Sequence, residues 1–185
     1  YGNISELVRL GRGEKPLPAG YGSTASQVAA AKLSNAGKLN VVNVPYKGIP
    51  PAVTDLLGGH LAFTFADLPV AIPLVQSGRV RGLGVPSVER LADHPAIPSL
   101  SEFFPGLEVI GWQGVVAPAN TPAQVVARLD ETLRQALREK PEFAQRLRDM
   151  HQTVAPLSTA KFGDFILQEI ARWKEDAKQA GIQPE

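Results

Sequence analysis

The stretch over residues 41–59 constrains this chain most, because it predicts a strand, a loop and a helix in immediate succession. It opens with a mostly β-branched apolar run that ends at Pro45, as expected of a strand. Tyr46, Lys47 and Gly48 follow as a loop, and an apolar-spaced helix then ends at paired glycines. In open α/β sheets, ligands bind beyond the carboxyl ends of the strands. This loop is therefore expected to lie at a ligand-facing edge.

Short apolar runs and helical patterns alternate along the first half of the chain. A short helix is predicted over residues 4–10, then strands near residues 17–22, 41–45, 61–66 and 80–85, with helices over residues 24–37, 50–57 and 67–78 between them. This alternation predicts an α/β fold with a parallel or mixed sheet. Two glycines weaken the run over residues 80–85, which indicates a close backbone approach or a turn toward a hinge.

A long, glycine-interrupted run over residues 106–118 predicts a strand that crosses between two lobes, with Trp112 packed at the crossing. Beyond it the pattern predicts a helix over residues 121–140, a short helix around Phe143 and Leu147, a brief strand over residues 153–156 and a last helix capped by Ser158 or Thr159. One face of that last helix carries side chains that we expect to be core: Phe162, Phe165, Ile166, Ile170 and Trp173.

Three sequences match the capping box, in which a hydroxyl caps a helix and a residue three places later closes the cap. They are Thr24 with Gln27, Ser99 with Glu102, and Thr121 with Gln124. The first follows a glycine loop, so its free amides and small hydroxyls suit a carboxylate or a phosphate. An ordinary capped helix that binds nothing is the alternative. Asp67 is expected to cap the helix that it precedes, or else to face the same cleft as Tyr46.

Composition excludes several classes of function. The net charge is +1, from 19 basic and 18 acidic residues, and no basic block indicates nucleic acid or a membrane surface. Without cysteine there is no disulfide, zinc-thiolate site or cysteine nucleophile. The three histidines are far apart, and no nucleophile elbow, Walker loop or dinucleotide motif is present. We therefore predict no metal, no cofactor and no catalytic residue, and favour binding of a small anion through hydrogen bonds.

Two linked motifs resemble a known family. Residues 44–48 read Val-Pro-Tyr-Lys-Gly and residues 55–59 read Asp-Leu-Leu-Gly-Gly, which is similar to the Bug-type receptors. These are periplasmic solute-binding proteins of tripartite tricarboxylate transporters. Residues 111–112, 116–118 and 169–173 continue the resemblance, which covers nearly the whole chain from about Gly20 onward.

The resemblance implies a type II periplasmic-binding-protein fold, a two-lobed Venus flytrap that closes on a small carboxylate and docks a membrane transporter. It also implies a periplasmic protein without enzymatic activity. Residues 1–111 would form the ligand-binding lobe, complete as a βαβ unit and second in the family. Residues 112–185 would supply the crossover and the C-terminal helices of an incomplete first lobe. Because the chain starts at Tyr1 without an initiator methionine, we expect the N-terminal part of the family fold to be absent.

The family's ligand site corresponds to three segments of this chain. They are the helix start Gly22, Ser23, Thr24, Ala25 and Ser26, the loop Tyr46, Lys47 and Gly48, and the strand end Ala66 and Asp67. The resemblance implies that Ser23, Thr24 and Ser26 hold one carboxylate, aided by Tyr46 and the Gly48 backbone. Lys47 would add charge complementarity, with a solvated ammonium as the alternative. Asp67 would meet a cationic or hydroxyl group of the ligand.

Two positions depart from the family pattern. Gln27 and Val28 stand where many relatives have a histidine, and Ala66 stands where many have an aspartate. The solute therefore cannot be carried over. A second hypothesis is a truncated interaction or signalling module that dimerises or binds a protein partner. Absent first-lobe strands would leave an open sheet edge and exposed apolar surface, which promote such pairing.

Overall fold

The computed structural model describes residues 1–182 and contains a three-stranded parallel sheet in the order β2-β1-β3. The strands are β1 (Leu17–Tyr21), β2 (Val41–Pro45) and β3 (Phe63–Thr64). β1 pairs along its whole length with β2, while Ala19 and Gly20 pair with β3 on the other side. The predicted α/β fold with a parallel sheet is confirmed, although β3 is shorter than the predicted strand over residues 61–66.

Helices connect and follow these strands. They are α1 (Ile4–Gly11), α2 (Thr24–Gly37), α3 (Ile49–Leu57), α4 (Leu68–Gln76), a 3₁₀ turn (Leu100–Glu102), α5 (Ala123–Glu139), α6 (Pro141–Asp149) and α7 (Thr159–Gln179). Each lies within a few residues of its prediction. Across residues 1–182, no helix combines the length and the apolar character that crossing a membrane requires.

The chain forms two compact units. The first contains Tyr1–Gly111 together with the described residues from Glu175 onward, and the second is Trp112–Lys174. The last turn of α7 joins the first unit through Asp176, whose Oδ1 lies 2.5 Å from Lys32 Nζ. Lys32 also donates to the Glu108 carbonyl at 3.1 Å, so one cation holds two segments against α2. The two predicted lobes remain a prediction, with residues 1–111 as the ligand-binding lobe and residues 112–185 as part of another. Residues 183–185 lie outside the described chain.

The core of the first unit lies between the sheet and its helices. Leu7 of α1 and Leu33 of α2 are 1% and 2% exposed, and they belong to the same cluster as Ala19 of β1 and Phe63 of β3. Burying a leucine side chain contributes roughly 1.5–3 kcal/mol. The alanine run of α2 lets this helix approach the sheet closely, since Ala29 and Ala30 are also buried. The sheet and the start of α2 therefore form one rigid base.

Three predicted strands do not form. Residues 80–85 make only one bridge, between Val85 and Ser99, and residues 106–118 and 153–156 pair with no strand in the described chain. Strand formation needs a partner ladder, which a local pattern cannot supply. The close approach inferred from the glycines near residue 80 is confirmed: a Cβ on Gly84 would lie 2.4 Å from Leu100 Cδ2.

The capping predictions have mixed outcomes. Ser99 and Glu102 form their capping box as predicted. Ser23, one residue before the predicted Thr24, caps α2 and closes its box with Ser26. The Thr121–Gln124 box does not form, because Pro122 occupies the cap position of α5. Asp67 occupies the cap position of α4 as predicted, but its side chain makes no capping hydrogen bond.

The aromatic face of α7 is only partly buried. Phe162 and Phe165 pack edge-to-face on Trp112, with ring centroids 5.7 and 5.2 Å apart. Ile170, which was expected in the core, is 46% exposed. Trp112 therefore contacts two aromatic rings of α7 but is itself 40% exposed. The prediction of a fully buried α7 face is wrong for the described structure.

One carboxylate organises the loop that replaces the strand near residue 85. Glu102 accepts two hydrogen bonds from Arg90, each 2.6 Å, and one from the Ser99 amide at 2.9 Å. Arg90 also donates to the Pro95 carbonyl at 2.8 Å. The bonds from Arg90 and then Ser99 lower the pKa of Glu102 from 4.5 to about 2. Because these bonds need an ionised carboxylate, they stabilise the loop only where Glu102 is charged.

Glu102→Gln should reduce stability in a pH-dependent way. The ionised carboxylate stabilises the fold above its unfolded pKa of 4.5, and this contribution is lost as the pH falls toward about 2. The unfolding temperature of the wild type should therefore exceed that of the variant near neutral pH, with the gap closing in acid. The exposed Glu89 offers a matched control through Glu89→Gln. A gap for Glu102→Gln that stays constant with pH would contradict this role.

Candidate functional site

The predicted site residues follow the carboxyl ends of all three strands. Because β1, β2 and β3 are parallel, residues 22–26, 46–48 and 66–67 lie along one edge of the sheet. The Tyr46 amide donates to the Tyr21 carbonyl at 2.9 Å, which continues the pairing of β1 and β2 past the end of β2. The segments after β2 and β3 thus flank the one after β1.

Two of these loops touch through their backbones. A Cβ on Gly22 would lie 2.1 Å from both the carbon and the oxygen of the Gly48 carbonyl, and 2.6 Å from the Ile49 nitrogen. Gly48 itself has φ 103°, a conformation that favours glycine. The two glycines therefore let the start of α2 and the start of α3 approach closer than any side chain would allow.

The serines at the start of α2 form a closed hydrogen-bond network. The Ser26 hydroxyl accepts from the Gly22 and Ser23 amides at 3.1 and 3.0 Å, and it donates to the Ser23 carbonyl at 2.8 Å. The Ser23 hydroxyl accepts from the Ser26 amide at 3.2 Å and also contacts the Ser26 hydroxyl at 3.1 Å. Ser26 is only 5% exposed. Two of the three predicted ligand hydroxyls, those of Ser23 and Ser26, are therefore engaged in capping the helix.

The hydrogen-bond donors that remain for a ligand belong to Thr24 and Ala25, the two residues between these serines. Helix geometry leaves the amides of Thr24 and Ala25 without an intrahelical acceptor. Thr24 is exposed, and Ala25 is half-buried. The positive end of the helix dipole adds an attraction for anions at this point. The Thr24 hydroxyl and these two amides form a compact donor set for one carboxylate group.

Tyr46 is held by a residue that the site prediction did not include. Its hydroxyl donates to Asp55 Oδ2 at 2.6 Å. This bond links the loop after β2, which contains Tyr46, to α3, which contains Asp55. The bond to Asp55, then desolvation, raises the pKa of Tyr46 above its ordinary value. The proton of this hydroxyl is thus engaged within the chain, and Tyr46 acts mainly to position the loop. Asp55 belongs to the Asp-Leu-Leu-Gly-Gly motif, which is the signal that could have identified it.

Two charged side chains flank the start of α2. Lys47 follows β2 and is exposed, while Asp67 follows β3 and is also exposed. The Asp67 carboxylate makes no bond to the amides of α4, whereas its carbonyl accepts from Val70 and Ala71 at 2.9 Å. Ala66 adds no polar side chain at this edge. A cation and an anion therefore stand after the two outer strands, with the donor set of Thr24 and Ala25 after the central one.

The loops at this edge of the sheet do not line either of two concavities in the described part of the chain. Two shallow concavities of the described chain lie elsewhere, one between α1 and Phe103–Phe104 and one along Phe143 and Met150 of α6. Within residues 1–182, no group of three acidic or histidine side chains could hold a metal ion. The arrangement can bind an anion through backbone and hydroxyl donors.

Comparisons with known proteins agree with this architecture. R. palustris Rpa4515, in its structure with adipate, is 28% identical and superposes with a TM-score of 0.92, covering 100% of this chain and 63% of that one. The periplasmic binding protein BugD is also 28% identical, with a TM-score of 0.89, covering 100% of this chain and 64% of that one. The chain therefore has the fold of a periplasmic binding protein, of which it spans part.

The sequence comparison then gives the family. Residues 3–182 match the model of the tripartite tricarboxylate transporter family receptors, so the chain belongs to that family. A Pseudomonas sp. (strain P51) relative, the UPF0065 protein of the tcbD-tcbE intergenic region, is 30% identical over 94% of this chain. The chain spans 53% of that relative, about half its length. The resemblance to Bug-type receptors is confirmed.

Gly22→Ala should destabilise the fold through the contact with Gly48. The added methyl group would overlap backbone atoms, which cannot move away as a flexible side chain would. Overpacking of this kind costs about 1–3 kcal/mol, to be measured as the free energy of unfolding in urea. Gly111→Ala is the matched control, because a Cβ there meets nothing within 4 Å. Equal stabilities of the two variants would argue against the close contact.

Asp55→Asn should lower the pKa of Tyr46 toward its ordinary value of 10.0, because the charged acceptor of the phenol is removed. The measurement is an ultraviolet absorbance titration, with Tyr46→Phe identifying the signal of this tyrosine. Asp93→Asn, at an exposed carboxylate, should leave the titration unchanged. An unaltered Tyr46 pKa in Asp55→Asn would show that the bond does not form in solution.

Proposed function

We propose that this chain captures a small carboxylate for a tripartite tricarboxylate transporter, as part of an extracytoplasmic solute-binding receptor. The observation that carries the proposal is the donor set of Thr24 and Ala25 at the edge where three parallel strands end. Family membership and the adipate in the structure of Rpa4515 support the ligand class. Dicarboxylates, tricarboxylates, amino acids and aromatic acids all present the carboxylate that this site would recognise.

Most of the predicted residues at the starts of α2 and α3 have a role in this proposal that follows from their contacts. Thr24 and the Ala25 amide would donate to one carboxylate, while Ser23 and Ser26 hold the helix start in place. Gly22 and Gly48 let the two loops meet, and Tyr46 fixes the second loop through Asp55.

Charge would then set the orientation of the ligand. Lys47 attracts the anion from the β2 side of the site. Asp67 stands on the β3 side, where its carboxylate would repel a second anionic group and accept from an ammonium or hydroxyl group of the ligand. The site binds without changing its ligand, so the receptor has no enzymatic activity in this proposal. The proposed location is the periplasm, where the membrane subunits of the transporter would receive the loaded receptor.

The test is a calorimetric titration of the chain with adipate, malate and an amino acid such as aspartate. We expect saturable binding of at least one of them. Thr24→Val removes one donor to a charged acceptor, which is worth about 1.5–3 kcal/mol, or roughly a tenfold loss of affinity or more. Thr54→Val removes a hydroxyl that only contacts the Pro50 carbonyl of its own helix, so it serves as the control.

One outcome of this titration tests the location of the site, and another tests the receptor proposal itself. If a carboxylate binds equally well to wild type and Thr24→Val, the start of α2 is not its site. If the folded wild type binds none of the three acids at millimolar concentration, the receptor proposal is wrong for this chain.

A further inference from the structure

A groove on the first unit runs along α1. It lies between this helix and Phe103–Phe104, which follow the 3₁₀ turn, and it has a volume of about 400 Å³. Its other lining residues, at positions 4, 5, 8, 9 and 12, share one face of α1 and its C-cap, because residues three or four apart are neighbours on a helix. We refer to it as the α1 groove. Its volume falls within the range of about 300–1,000 Å³ that is usual for sites of small organic molecules.

The α1 groove is apolar at one end and cationic at the other. Ile4, in the first turn of α1, is 2% exposed and belongs to the core, so this end is fixed in place. Val8 follows one turn later and is half-buried. Arg9 lies in the last turn, and Arg12 is the C-cap residue. At about 1.5 Å of rise per residue, the polarity changes over a distance of about 12 Å.

Phe103 gives the groove an aromatic wall. Its side chain is 43% exposed, whereas Phe104 beside it is half-buried and packs against the core. The amides of both residues donate to the Leu100 carbonyl, at 3.1 and 2.9 Å, and Leu100 is 1% exposed. The wall therefore stands on a buried base. An aromatic ring of a ligand gains additional stabilisation by stacking or edge-to-face contact with such a ring.

The two arginines keep hydrogen-bond donors that the chain does not use. Arg12 Nε donates to the Gly37 carbonyl at the end of α2, at 2.8 Å, which holds the guanidinium in position. Its two terminal nitrogens, and all three of Arg9, make no hydrogen bond within residues 1–182. The Glu6 carboxylate, three residues before Arg9, accepts from the Gly2 amide instead. No carboxylate is among the described residues that line the groove.

The dipole of α1 accounts for only part of this arrangement. It favours cations in the last turn of a helix, which explains why two arginines are tolerated there. It leaves their N–H groups without an acceptor. A guanidinium forms paired hydrogen bonds with a carboxylate, and the aromatic wall and the apolar end suit a hydrocarbon body. The lining of the α1 groove thus fits an anion that carries a flat apolar group.

This groove and the proposed carboxylate site lie at different edges of the sheet. The Gly11 carbonyl at the end of α1 accepts from the Asn40 amide, directly before β2, and the Leu17 amide at the start of β1 donates to the Asn40 carbonyl. The cationic end of the groove therefore adjoins the amino ends of β1 and β2. The segments at 22–26, 46–48 and 66–67 follow the carboxyl ends of the strands.

We propose that the α1 groove is a second binding site, for an organic anion with a flat apolar body such as an aryl carboxylate. Arg9 and Arg12 bind the carboxylate group, and the ring of the ligand lies against Phe103 and the apolar end of the groove. The proposal does not depend on the site at the start of α2 or on a transport function.

The experiment is a titration of the full chain with 2-naphthoate, followed through the amide signals in nuclear magnetic resonance spectra. We expect saturable shifts of the amides at 8–12 and 103–104. The neutral 2-naphthamide and the small anion acetate should each bind at least about tenfold more weakly. The amide cannot form the charged hydrogen bonds, and acetate has no ring to bury.

Arg9→Gln tests the cationic end with the least effect on the fold, because the Arg9 side chain makes no hydrogen bond in the described chain. It should weaken naphthoate binding by about tenfold, the usual loss for one charged hydrogen bond. Arg79→Gln is the matched control, since Arg79 is an exposed arginine of the first unit that does not line the groove. This variant should bind naphthoate as the wild type does.

Four results would each overturn the proposal. Naphthoate at millimolar concentration might leave the amides at 8–12 unshifted in the folded chain, which shows that the groove takes no such ligand. Shifts confined to residues 22–26 would place the naphthoate at the start of α2. Equal binding of naphthamide would show apolar contact without recognition of an anion. Equal losses in Arg9→Gln and Arg79→Gln would show attraction to the overall charge rather than to a site.

Discussion

The structure depends on β1 pairing with a strand on each side. Ala19 in its middle is 0% exposed, and its neighbour Gly20 leaves room for Leu61 and for the Tyr46 ring. Because β2 and β3 both run parallel to β1, each delivers its following loop to the same edge. α2 begins at the centre of that edge, directly after β1. The proposed binding site, made of three separate segments, follows from this single arrangement of strands.

In the proposed site, the start of α2 divides its polar groups between helix capping and ligand binding. Ser23 and Ser26 satisfy one another and the first amides, which fixes where the helix begins. The amides of Thr24 and Ala25, which have no acceptor within the helix, are then left as donors. The Gly22–Gly48 contact and the Tyr46–Asp55 bond hold the adjacent loop. Binding groups that are fixed before the ligand arrives lose less conformational entropy when it binds.

The two units differ in how far their apolar surface is buried. The first has a continuous core around Leu7, Leu33 and Phe63. In the second, Ala144 is the buried apolar residue of its described helices, while α5 has none. The proposed ligand site lies wholly in the unit with the core.

The sequence by itself determined the helices, the three paired strands and the family. The run ending at Pro45, the Asp-Leu-Leu-Gly-Gly motif and the alanine-rich helix are local patterns, and local patterns specify strands, helices and their order. Tertiary structure decided which groups remain available. Residues 80–85 are not a strand because no partner ladder reaches them, and the Tyr46 hydroxyl is engaged because Asp55 of α3 lies beside it. Such outcomes depend on contacts between elements, and no pattern within one element encodes its neighbours.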